Sequence, residues 1–129
     1  NAALGCAQLE QLPHFLKSKR LLFEKYQDAF SKITGVQLME EPKNCKSNYW
    51  LQTLLLDKSV SGQRDKILEA TNKAGFKTRP AWNPIHTLPF YSDFPRASLP
   101  VVESLKQRII NLPSSVGLAN PELDMQKKP

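Results

Sequence analysis

The residues best suited to chemistry in this chain lie together between Arg79 and Tyr91, in the run RPAWNPIHTLPFY. Arg79 carries a planar guanidinium that forks onto a carboxylate or phosphate, or else makes a surface ion pair. His86 is either aimed at a ligand or satisfied by backbone carbonyls. Trp82 and Tyr91 offer ring faces for stacking on a sugar or base, with packing as the alternative. Pro80, Pro84 and Pro89 fix φ near about −65° and remove backbone donors, so the stretch is neither helix interior nor central strand. It reads as a stiff, ligand-facing loop.

No self-contained catalytic set accompanies the loop. The sequence lacks GxSxG, HExxH, GxxxxGK[ST] and GxGxxG, and its two histidines, His14 and His86, are far apart. Glu40 and Glu41 are adjacent, so in a strand they point to opposite faces and cannot form a carboxylate pair. Cys6 and Cys45 form no CxxC or Cys/His cluster, which signals reduced thiols rather than a metal site or a disulfide framework. No catalytic, cofactor-binding or metal-ligating residue is assigned within the chain.

Around the loop, apolar residues recur in steps of mostly three and four at Leu9, Leu12, Phe15, Leu16, Leu22, Phe23, Tyr26, Phe30 and Ile33. This spacing predicts a long amphipathic helix that kinks or restarts at Pro13 and ends by Gly35. Residues 36–40 and 48–56 read as two β-prone runs around the turn-like EPKNCKS. Either Tyr49 or Trp50 should face the core, since neighbours in a strand alternate. Residues 62–74 read as a helix stopped by Gly75, feeding a strand over 76–82. Residues 99–108 read as a further helix with Pro100 in its first turn, and 109–112 lead into Pro113. The fold class is α+β: a long N-terminal helix and a small antiparallel sheet covered by helices.

Length and composition agree with one domain. The chain has 129 residues, 40% hydrophobic and 23% charged, enough for a single core. No run approaches the roughly 20 apolar residues of a membrane helix, so a soluble, cytoplasmic protein is expected. The net charge of +6 is scattered among acids without an RNP, KH or helix-turn-helix pattern, which argues against nucleic acid and leaves a modest attraction for anions. The start at Asn1, without Met or a signal-like stretch, reads as a cut end.

Three segments carry a resemblance. NAALGCAQLEQL at 1–12, the loop RP-x-W-x-P-I-H-x-x-P-x-Y at 79–91, and RIINLPSS at 108–115 occur in an order and spacing similar to the C-terminal domain of the DegT/DnrJ sugar aminotransferases. The resemblance implies residues 1–116 as the small C-terminal domain, with a lead helix over 1–34, an α+β core over 35–116 and a polar tail over 117–129. It implies a parent enzyme of fold type I that uses pyridoxal phosphate and acts as a homodimer. The parent would move an amino group from a donor such as glutamate to a nucleotide-linked keto sugar in cell-surface polysaccharide or lipopolysaccharide biosynthesis.

The large domain of such enzymes supplies the Schiff-base lysine, so this chain alone is expected neither to hold the cofactor nor to transaminate. Carried onto this sequence, the loop with Arg79, Trp82, His86 and Tyr91 is the part that approaches the sugar nucleotide. The competing reading is a free-standing, non-catalytic binding or dimerisation module.

Overall fold

The computed structural model describes residues 1–119. The predicted long helix is one element, α1 (Ala2–Phe30), which runs through Pro13 without a restart. Residues 1–14 are all exposed, so the Leu9 carbonyl that Pro13 leaves without a donor lies where solvent satisfies it. Gly35 adopts φ +84°, open to a residue without Cβ, and turns the chain into β1 (Val36–Leu38).

β1 pairs with β2 (Gln52–Leu56), Val36 opposite Leu56 and Leu38 opposite Leu54. β2 starts later than the run 48–56 suggested, because Tyr49 sits at φ +46° and breaks the extended backbone. A 3₁₀ turn (Lys58–Gln63) feeds α2 (Arg64–Lys73), and Gly75 at φ +88° closes it, as its position in the sequence indicated. The strand expected over 76–82 contracts to β3 (Arg79–Pro80) at the sheet edge, where a proline lacking an amide is tolerated. The rest of the proline loop coils into 3₁₀ turns at Ile85–Thr87 and Pro89–Tyr91.

After α3 (Pro100–Lys106) comes a strand that the sequence reading treated only as a link, β4 (Ile109–Leu112). It lies between β2 and β3, so the sheet has four strands in the order β1-β2-β4-β3, every pair antiparallel.

The core forms on one sheet face. Leu54, Leu56 and Ile110 are buried there with Leu38, and Phe23 of α1 stacks on Tyr49 at 4.2 Å between centroids. Ile67 and Leu68 of α2 pack against the same cluster. Each fully buried Leu or Ile contributes about 1.5–3 kcal/mol. Polar ties fix α1 on the sheet: the Tyr26 hydroxyl donates to the Pro113 carbonyl at 2.9 Å, and Arg20 forks onto Glu41 at 2.8 and 3.2 Å. Hydrogen bonds from Arg20, then from the Ser47 amide, hold the Glu41 carboxyl below the usual carboxylate range.

The segment read as a polar tail from 117 begins as a 3₁₀ turn (Val116–Ala119) docked on α1, with Ala119 buried and its carbonyl accepting from Lys25 at 2.6 Å. Residues 120–129 of that tail lie outside the described residues. Among the described residues, no helix is long and apolar enough to cross a membrane.

Candidate functional site

A cleft of about 680 Å³ opens where the end of β4 meets the edge strand β3. The register explains why Arg79 reaches it. Arg79 lies opposite Asn111, which lies opposite Thr53, so all three share the sheet face turned away from the Leu54–Ile110 core. Thr53 Oγ1 donates to Asn111 Oδ1 at 3.1 Å and holds that face in place.

The aromatic wall of the cleft comes from the break before β2. The Tyr49 amide donates to Ser47 Oγ and the Trp50 amide to Asn48 Oδ1, each at 3.0 Å. These local bonds stabilise a turn that sends Tyr49 inward and Trp50 outward. Trp50 then stacks against Trp82 from the proline loop, with centroids 6.2 Å apart and planes 25° from parallel. Both indoles stay open to solvent, at 64% and 72% exposure.

Lys19 of α1 lies beneath this wall. Its ammonium donates to the Trp50 carbonyl at 3.2 Å, to Ser114 Oγ at 2.9 Å and to the Ser114 carbonyl. An ammonium has three donors, so all are engaged. Burial lowers its pKa. Ser114 Oγ in turn donates to the Trp50 carbonyl at 2.6 Å. This knot ties α1, the turn before β2 and the segment after β4 into one floor.

The cleft is lined by Lys19, Lys77 and Arg79 and, among the described residues, by no Asp or Glu. Among the described residues, none of the three cations forms an ion pair. Such a surface attracts anions and offers a stacking face beside them.

Of the four residues singled out in the sequence, Arg79 and Trp82 line the cleft, while His86 and Tyr91 are not part of its lining. His86 is buried, with Nε2 3.5 Å from Glu103 Oε1 of α3 and neither ring nitrogen hydrogen-bonded. Tyr91 is 45% exposed and lies 6.1 Å from the Phe94 ring. Lys19, Lys77 and Ser114 were not singled out in the sequence, and Trp50 only as one of a pair of which one member faces the core. Ser114 fell within RIINLPSS, but nothing in the spacing of α1 marks which lysine meets it.

Among the described residues, no carboxylate lines the cleft to pair with a pyridine nitrogen, and the Lys19 amine is already engaged, so the donor set of this cleft does not fit pyridoxal phosphate. No chemical step is therefore routed through that group here.

The sequence profile of the DegT/DnrJ/EryC1/StrS aminotransferase family matches residues 1–125. The chain belongs to this family. A GDP-perosamine synthase from Vibrio cholerae is 33% identical over 125 residues, covering 95% of this chain and 33% of the synthase. Two solved structures share the fold. DesI, solved in the presence of its TDP-sugar product, superposes with a TM-score of 0.80 at 24% identity, covering 97% of this chain and 33% of DesI. Spr1654 of Streptococcus pneumoniae, solved in a PLP-form, superposes at 0.82 with 21% identity, covering 96% and 32%. The chain thus spans about a third of the length of the family members it matches.

Proposed function

We propose that this chain is the C-terminal, substrate-shaping domain, residues 1–116, of a pyridoxal-phosphate-dependent aminotransferase that moves an amino group from glutamate to a nucleotide-linked keto sugar. The parent enzyme works as a cytoplasmic homodimer in cell-surface polysaccharide or lipopolysaccharide biosynthesis. The observation that carries the reading is the family match along nearly the whole chain, joined to a cleft with cations and indoles where the loop resemblance puts substrate contacts.

Pyridoxal phosphate, when bound by the rest of the enzyme, supplies the amino-transfer chemistry. This domain contributes binding and orientation: Arg79 takes a substrate anion, Trp82 covers a planar or sugar face, and the loop carrying His86 and Tyr91 closes over the substrate. Positioning of this kind is what a domain without its own catalytic set adds to a reaction.

The test uses the full-length protein with glutamate and a panel of GDP-, TDP- and UDP-linked keto sugars. Formation of 2-oxoglutarate in step with an amino sugar is expected. Failure with every sugar, in protein that binds the cofactor, overturns the sugar substrate and leaves the non-catalytic module as the better reading.

A further inference from the structure

Beyond β3, the hydrogen bonds of residues 82–98 close on the loop itself. The Thr87 amide and hydroxyl donate to the Pro84 carbonyl, the Ser92 hydroxyl to the Pro89 carbonyl and Arg96 to the Ser92 carbonyl. Only one residue of this stretch is buried, and it is His86. A leucine would fill such a position at no polar cost, whereas a buried imidazole loses its bonds to water and needs replacements. Among the described residues, neither ring nitrogen has a hydrogen bond, and the ionised group beside the ring is the Glu103 carboxylate, with Oε1 3.5 Å from Nε2.

Glu103 stands on a fixed element. Its amide donates to the Leu99 carbonyl at 3.1 Å, and Arg64 of α2 donates to the Lys106 carbonyl at the end of α3 at 2.7 Å. The loop is therefore held at two places: Trp82 stacks on Trp50 near its start, and His86 lies against α3 further on.

We infer that His86 and Glu103 form a latch that pins the proline loop to α3, with Nε2–H donating to the carboxylate, and that Glu103 is thereby a positioning residue for the loop. The positioning role rests on the reading of the loop as a substrate-facing element of an aminotransferase. Glu103 touches no substrate in this account; it acts through His86, and a loop held in place needs less ordering when the substrate arrives.

The latch is tested on the 129-residue chain by limited chymotrypsin digestion, since Phe90, Tyr91 and Phe94 in the loop are exposed targets. Cleavage there follows the population of the released loop. Glu103→Ala should speed it about tenfold, as expected for loss of a charged hydrogen bond. Cuts at the buried Phe23 and Tyr49 should not change, because the Glu103 side chain is 61% exposed and its loss leaves no core cavity. His86→Leu, which keeps the apolar bulk without the donor, should cut as fast as Glu103→Ala, and His86→Gln, which keeps an N–H donor, should restore much of the protection. The double variant Glu103→Ala/His86→Leu should cut no faster than either single one, since both remove the same interaction.

Loop cleavage in Glu103→Ala at the wild-type rate overturns the latch. So does protection by His86→Leu equal to wild type, which would mean that burial alone holds the loop, or additive effects in the double variant. In the full-length enzyme, Glu103→Ala should raise KM for the keto sugar about tenfold with kcat and cofactor absorbance little changed; faster loop cleavage with an unchanged KM overturns the positioning role. Failure of the wild-type full-length protein to aminate any sugar nucleotide, with the digestion results as expected, overturns the aminotransferase reading and leaves the latch standing.

Discussion

Replacing Ile110 with Ala tests whether β4 is the inner strand in the register described. Ile110 is fully buried opposite Leu54 and Pro80. Truncation removes three carbons, about 2.4 kcal/mol at roughly 0.8 kcal/mol each, and leaves a cavity worth about 1 kcal/mol more. Its neighbour Ile109 is half-buried on the opposite face, paired with Leu55, so Ile109→Ala should cost about 1 kcal/mol. For a chain of this size the two losses correspond to falls in Tm of about 12–16 °C and about 4 °C. Thermal and urea unfolding followed by circular dichroism read the difference. A one-residue slip of β4 exchanges the two faces, so equal losses, or a larger loss for Ile109→Ala, would refute the register.

Two further outcomes follow from the site and its supports. Glu41→Gln should destabilise the chain at neutral pH, and the gap to wild type should close in acid. The folded-state pKa of Glu41 is depressed, so its contribution is complete above the unfolded value of about 4.3 and is lost as pH falls through the lower folded value; a gap that does not narrow at all as pH falls below the unfolded value would contradict this. In the full-length enzyme, Arg79→Ala or His86→Ala should raise KM or lower kcat about tenfold, on the order of 1.4 kcal/mol, with cofactor absorbance intact; wild-type kinetics in both would remove the loop from substrate binding.

Helices were the most legible part of the fold, because periodicity near 3.6 over eight apolar positions of α1 and the glycines at 35 and 75 encode α1 and the end of α2 locally. Strands were less so. Ile109–Leu112 is four residues long, follows a helix closely and stops at a proline, so only its partners β2 and β3 make it a strand. The same holds for the break at Tyr49, whose positive φ is fixed by Ser47 and by burial against Phe23. Arg79 and Trp82 could be found because the prolines concentrate them in one loop. Lys19 and Ser114 could not, since they are ninety-five positions apart and meet only through packing of α1 on the sheet.

The most direct test of the central claim is covalent. The full-length protein and the 129-residue chain are each incubated with pyridoxal phosphate, reduced with borohydride, digested and weighed. One stoichiometric adduct on a lysine outside residues 1–129 of the full-length protein, with none on the isolated chain, is the predicted result. No adduct on the full-length protein, or an adduct at a lysine within this chain, would contradict a substrate-shaping domain that serves a cofactor held elsewhere.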